Sequence, residues 1–317
     1  MSARSNTFRL SSAAFGLVAI TWGLLVFGAS VRVNGAGLAC PDWPLCFGEV
    51  IPTIDLGVFF EFGHRVYAGG VSLLFAALGA VSAMRWRRGT LSARPLVVWA
   101  VGFVVLMVQV VLGGLTVLEL LAEWTVTSHL LVGNTFCLSV LLLGLTLRAE
   151  EDGWPALTGV TWLQRGAAAA VAVLVPIQIG LGGMVSSSYA GLVCPSWPTC
   201  AGDVWFPTFA GLVGLQVTHR LIAYVLAGAV LVAFASAANH AQLRWPAGVL
   251  LLATLAQVGL GVANVLMRLP VEITLAHTGV AALIALSTTW LVWRAFRAPV
   301  RAMSPLSMPS PLQAGEV

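Results

Sequence analysis

The stretch Glu61-Phe62-Gly63-His64-Arg65-Val66-Tyr67-Ala68-Gly69-Gly70-Val71-Ser72-Leu73-Leu74-Phe75-Ala76-Ala77-Leu78 decides the fold. Three ionisable side chains stand at its head, and an uncharged apolar run follows as far as Met84. At 1.5 Å per residue, such a run crosses the ~30 Å hydrocarbon layer of a bilayer as a helix. Within hydrocarbon every backbone polar group needs an internal partner. The run lacks the alternation of a barrel strand, so a helix is the form left to it. Glu61, His64 and Arg65 are three and four residues apart and share one helical face. Ionisable groups in a spanning segment cost free energy and are functional candidates by default.

The rest of the chain agrees with that reading. It has 317 residues, of which 59% are hydrophobic and 9% charged, and its mean hydropathy is +0.93. Soluble domains carry roughly 25% charged residues, so an all-α integral membrane protein is expected. Hydropathy marks eight spans near 13–33, 58–84, 95–118, 125–147, 165–187, 208–235, 246–266 and 272–293. The first is long enough to span and is followed by others like it, which argues against a removable signal peptide. All 16 basic residues are arginine, and 12 of them fall on one side of these spans. That side is expected to be cytoplasmic, with both termini on it. Eight of the 12 acids fall on the other side, among them Asp42, Glu61 and Asp203. The net charge of +4 therefore reads as a topology signal in a plasma-membrane protein surrounded by lipid, not as a nucleic-acid footprint. Residues 301–317, rich in Pro and Ser, read as a disordered cytoplasmic tail.

The chain repeats itself. Gly28 to Cys40 aligns without gaps with Gly182 to Cys194, and Cys40-Pro-Asp-Trp-Pro-Leu-Cys46 matches Cys194-Pro-Ser-Trp-Pro-Thr-Cys200. Gln216-Val-Thr-His219-Arg220 answers Glu61-Phe-Gly-His64-Arg65, and Gln109-Val-Val-Leu-Gly-Gly-Leu-Thr-Val117 is echoed by Gln257-Val-Gly-Leu-Gly-Val-Ala-Asn-Val265. Four spans per half is an even number, so the halves share one orientation and are related by a pseudo-twofold axis along the membrane normal. Two fused four-helix bundles are expected, residues 1–150 and 151–300.

His64, His129, His219 and His277 stand near the heads of spans 2, 4, 6 and 8, two in each half and at similar depth towards the outer face. Four-helix bundles build cofactor sites from side chains on facing helices. Two opposed imidazoles per half read as axial ligands of one haem iron per half. Zinc wants three or four converging ligands, which this pattern does not offer. His240, on the loop between spans 6 and 7, reads as a solvated residue. Arg65 and Arg220 each follow a histidine and are candidates to clamp haem propionates; the alternatives are snorkelling or a pair with Glu61.

The halves differ at one chemically important position. Glu61 can ionise; its counterpart Gln216 cannot. The difference assigns proton movement or charge stabilisation to the first half and electron transfer to the second. The cysteines pair by position, Cys40 with Cys46 and Cys194 with Cys200, in outer loops where disulfides persist. Redox-active thiol pairs are the alternative. Cys137, alone in span 4, reads as a small core residue.

Together these motifs resemble the haem A synthases, and the likeness runs from about residue 10 to 297. The paired-cysteine loops resemble the bacterial type. The resemblance implies oxidation of the C8 methyl of haem O to the formyl group of haem A, for terminal oxidase assembly, by successive hydroxylation and loss of water. It gives His64 and His129 the substrate haem, His219 and His277 a haem b that relays electrons, and Glu61 a catalytic role. Haem O synthase and oxidase assembly factors are the partners it implies. The electron donor is not specified, and homo-oligomers stay open. The rival reading is a di-haem b electron-transfer protein of the quinol oxidoreductase kind, which has no need of a glutamate in one half only. A transporter is a third reading, but it would place polar groups at mid-membrane.

Overall fold

The computed structural model describes residues 9–154 and 157–297. Within them lie eight long helices: α1 Leu10–Val33, α2 Leu56–Arg87, α3 Arg94–Leu118, α4 Glu123–Glu151, α5 Trp162–Ser187, α6 Gly211–Ala237, α7 Arg244–Leu266 and α8 Val271–Phe296. The described residues hold no strand, only isolated bridges at Cys46–Glu49 and Ala201–Val204. All eight helices are long and apolar enough to cross a membrane. The protein is an all-α, multi-pass membrane protein, as the hydropathy pattern predicts. Arg4, Arg301 and the tail 301–317 lie outside the described residues.

Most helices run slightly past the expected spans because polar residues finish their ends. The Asp55 carboxylate accepts from the Val58 N–H at 2.8 Å and caps α2. At α5, Thr161 and Gln164 bond reciprocally across the first turn, satisfying donors that have no intrahelical partner. The exception is α6, which starts at Gly211 and not at 208: a left-handed φ of 60° there ends the helix upstream.

Helices α1 to α4 pack as one bundle and α5 to α8 as another. The bundles meet through α1 against α8, α4 against α5, and α4 against α8. Since α5 repeats α1 and α8 repeats α4, the first two contacts are one contact seen from either side of the pseudo-twofold axis. The third crosses the axis.

Helices in lipid gain little from burying apolar surface against each other; close packing and hydrogen bonds must hold them. The first bundle shows how. Phe75 of α2 is fully buried, stands edge-on to Phe136 of α4 at 5.1 Å and stacks on Trp99 of α3 at 6.0 Å. The Trp99 indole N–H donates to the Phe75 carbonyl at 3.0 Å. This cluster extends through Leu10, Leu17, Leu143 and Leu147. Its counterpart in the second bundle is built from Val171, Val230, Leu250 and Leu291. Both cores occupy the end of the bundle away from the cysteine loops.

Acids at the C-terminal end of α4 tie that end together. The Ser11 hydroxyl and N–H donate to Glu151, the Ser92 hydroxyl and N–H to Glu150, and Arg9 pairs with Asp152 at 2.8 Å. Carboxylates thereby satisfy donors at the starts of α1 and α3.

Trp99 reaches Phe75 only because Gly79 has no side chain; a Cβ there would lie 2.1 Å from the indole. Gly79→Val is therefore expected to displace Trp99 and cost about 1–3 kcal/mol. Unfolding in mixed detergent micelles measures this; an unchanged unfolding midpoint would contradict the packing described.

Candidate functional site

The end of each bundle opposite its core carries the ionisable residues. His64, His129, His219 and His277 sit about two turns inside α2, α4, α6 and α8, deeper than the heads of the spans where the sequence reading put them. That is roughly 9–12 Å from each helix start. Each ring lies on a glycine of the preceding helix. A Cβ added at Gly28, Gly113, Gly182 or Gly261 would stand 3.0, 3.1, 3.1 or 3.3 Å from Cε1 of His64, His129, His219 or His277. An alanine at any of the four would make the ring give by a few tenths of an ångström, and a bulkier side chain would displace it further.

Each bundle carries its two histidines on different helices, His64 and His129 on α2 and α4, His219 and His277 on α6 and α8. Their polar atoms are poorly served by protein. Nδ1 of His64, His129 and His277 is buried without a hydrogen-bond partner. His129 Nε2 lies 3.3 Å from the Gln109 amide nitrogen, and His219 Nδ1 lies 3.1 Å from that of Gln178. Buried polar groups are rarely left unpaired, so the unpartnered Nδ1 of His64, His129 and His277 makes these rings candidate ligands. Among the described residues, no group of three or more His, Cys, Asp or Glu converges on one point.

Over each site sits a cysteine loop. Cys40 is bridged to Cys46 and Cys194 to Cys200, with all four sulfurs buried. The arginines that follow His64 and His219 each hold a loop. Arg65 Nη1 donates to the carbonyls of Asp42 at 2.9 Å and Leu45 at 2.5 Å. Arg220 donates to Ser196 and Thr199 at 3.0 Å each and to Cys194 at 2.8 Å. A left-handed turn supports each loop from below. Leu121 (φ 62°) packs on Gly37, and Leu269 (φ 62°) packs on Gly191.

The Glu61/Gln216 difference becomes a structural one here. Glu61 is 5% exposed. One oxygen accepts from the Cys40 N–H at 2.8 Å, the other from Arg65 at 2.5 Å. Gln216 is equally buried, donates to the Gly191 carbonyl at 3.4 Å and leaves its own oxygen without a partner. The Glu61–Arg65 pair, held open as an alternative to propionate contact, is present.

The sequence reading missed the four glycines beneath the rings and the roles of Gln109 and Gln178. The signal was there: Gly28 and Gly182 open the first repeat alignment, and Gly113 and Gly261 face each other within the second. His240 is a correction. It is not freely solvated but half-buried, with Nε2 3.3 Å from the Thr158 carbonyl. The turn after α6 folds back on the connector between the bundles. Cys137 is a free, buried thiol in α4, as expected.

Residues 12–289 match the family COX15-CtaA, described as cytochrome oxidase assembly protein. The chain belongs to that family. The chain is similar to the haem A synthase of Shewanella oneidensis, 32% identical over 313 residues that cover 83% of this chain and 90% of that protein. It is similar also to the haem A synthases of Geobacillus kaustophilus, at 28% identity over 88% of this chain and 90% of that one, and Halalkalibacterium halodurans, at 26% over 85% and 91%. The match to COX15-CtaA spans both histidine pairs and both cysteine loops.

In this COX15-CtaA chain, Arg220→Ala is expected to loosen the second loop. Three charge-assisted hydrogen bonds to carbonyls are lost at once. Timed alkylation after addition of a mild reductant should show Cys194 and Cys200 opening about tenfold faster, with Cys40 and Cys46 little changed. Equal rates would mean that the arginine does not secure the loop.

Proposed function

We propose that this protein is a haem A synthase, oxidising the C8 methyl group of haem O to the formyl group of haem A. The observation that carries the reading is the layer of four buried imidazoles, two per bundle, under paired cysteine loops, with a carboxylate added to the first bundle only. Family membership and the similarity to haem A synthases over most of the chain support it.

His64 and His129 are proposed to hold the substrate haem, and His219 and His277 a resident haem b. When bound, haem b supplies a one-electron relay. The glycine beneath each of the four rings and the unpartnered Nδ1 of His64, His129 and His277 fit haem ligation. The remaining work falls to side chains. The buried cores below each pair exclude water from the far end of the site, and the cysteine loops cover the near end. Glu61, one turn before His64 on the same face, is the candidate acid–base residue. Its hold on the Cys40 N–H and on Arg65 fixes the carboxylate in place. The donors that the loop carbonyls leave free on Arg65 and Arg220 are the ones proposed for haem propionates. Following the arginine distribution, the loops are assigned to the outer face and both termini to the cytoplasm. Haem O synthase and oxidase assembly factors remain proposed partners.

Glu61→Gln separates two roles of this residue. The amide keeps the shape and can still accept from Cys40, but it cannot carry a proton. Haem extraction from the purified variant is expected to show haem O with little or no haem A and a near-normal total haem content. Wild-type haem A levels would remove Glu61 from the chemistry.

The ligand assignment has its own test. Gly182→Leu is expected to displace His219 and lower haem b content severalfold while leaving the N-terminal haem bound. Full retention of haem b would contradict a ligand role for His219.

A further inference from the structure

The two bundles are not equally filled at their seam. Trp22 of α1 lies across the α1–α8 contact; its indole N–H donates to the Gly279 carbonyl at 2.8 Å. Carrying the offset of the gap-free repeat six residues back from Gly28 and Gly182 along α1 and α5 sets Pro176 opposite Trp22. On that side, between α4, α5 and α8, there is a cavity of about 570 Å³ lined by Pro176.

The lining differs from its filled twin in chemistry as well as in volume. Aligning His277 with His129 pairs Thr288 with Val140 and Asn134 with Ala282. Val140 is sealed in the core of the first bundle, whereas Thr288 and Asn134 line the cavity. Thr288 is 4% exposed, and its hydroxyl has no partner. Other buried hydroxyls in these helices, at Thr21, Ser82, Thr254 and Ser287, donate to the carbonyl four residues back. Among the described residues, Thr288 has the only hydroxyl that is buried and unpartnered. It lies three turns below His277 on nearly the same face of α8, about 16 Å along the axis. Trp293, Phe296 and Arg297 line the end away from the cysteine loops.

We propose that this cavity is a binding site for a lipid-soluble isoprenoid quinone. A quinone ring brings two carbonyl acceptors to mid-membrane depth. The Asn134 amide, which gives one hydrogen to the Leu130 carbonyl at 2.9 Å, has a second to offer; the Thr288 hydroxyl, sealed in its present rotamer, becomes a donor on rotation about χ1, and the tail suits the apolar walls. The acyl chain of a phospholipid carries no acceptor at that depth and would leave the Thr288 hydroxyl unserved. The cavity adjoins the bundle of His219 and His277 on the faces of α5 and α8. Its use as an entry point for electrons rests on the haem b proposed there; the site itself does not.

The test is photolabelling of the full-length protein in lipid nanodiscs with an azido-substituted short-chain ubiquinone, mapped by peptide mass spectrometry, with decylubiquinone as competitor. Label is expected on α4, α5 and α8 and should be displaced by decylubiquinone. Thr288→Val should reduce it at least fivefold, and Pro176→Trp, which installs the plug of the other bundle, should abolish it. Haem content is measured on each sample, so absence of haem b is recognised separately from absence of quinone. Label elsewhere, label unchanged in Thr288→Val, or label displaced by added phospholipid but not by decylubiquinone would overturn the proposal.

Discussion

An imidazole buried in the hydrocarbon layer cannot leave its nitrogens to water, and four of them at one level of two bundles have few protein groups to turn to. This constraint organises the rest of the structure. Gly28, Gly113, Gly182 and Gly261 give the rings room, and the aromatic and aliphatic cores at the other end keep the helices fixed beneath them. Gln109 and Gln178 reach only one ring each. What remains unsatisfied is a buried ring nitrogen on His64, His129 and His277, and the haem proposed for each bundle would give the imidazoles an iron to bind. The site is thus formed as much by what the protein withholds from the histidines as by what it gives them.

The repeat then makes its own exceptions informative. Both loops are bridged, both are held by an arginine, and both rest on a left-handed leucine turn. Against that background two departures stand out. Glu61 places a charge where Gln216 has none, tied to the Cys40 N–H and to Arg65. Pro176 leaves space where Trp22 fills it, and Thr288 leaves a hydroxyl where Val140 has methyl groups. Each departure adds a polar function to one bundle at some cost in packing or desolvation. The first bundle gains a carboxylate beside its histidines, and the second gains a cavity below its own.

Much of this could be read from residues alone. Spans are legible because hydrocarbon thickness imposes a length, and the arginine distribution follows the same boundaries. The repeat placed the histidines in equivalent positions, and the cysteine spacing permitted only short closed loops. The contacts that depend on shape were not legible. Nothing local in the sequence says that Arg65 and Arg220 spend their donors on the carbonyls of Asp42, Leu45, Ser196 and Thr199, because those partners lie 20 or more residues away. The His240 contact with Thr158 depends on how the connector between the bundles folds back. The glycines under the rings were visible as letters in an alignment, but their meaning needed the distance from an absent Cβ to a ring.

The central claim is that each bundle grips one haem between two imidazoles. Low-temperature electron paramagnetic resonance of the oxidised protein, purified from haem-replete cells with iron quantified in parallel, tests it most directly. The account predicts low-spin ferric signals of bis-imidazole type, with iron approaching about two per chain. A colourless protein, or full haem loading with a predominantly high-spin signal, would contradict it.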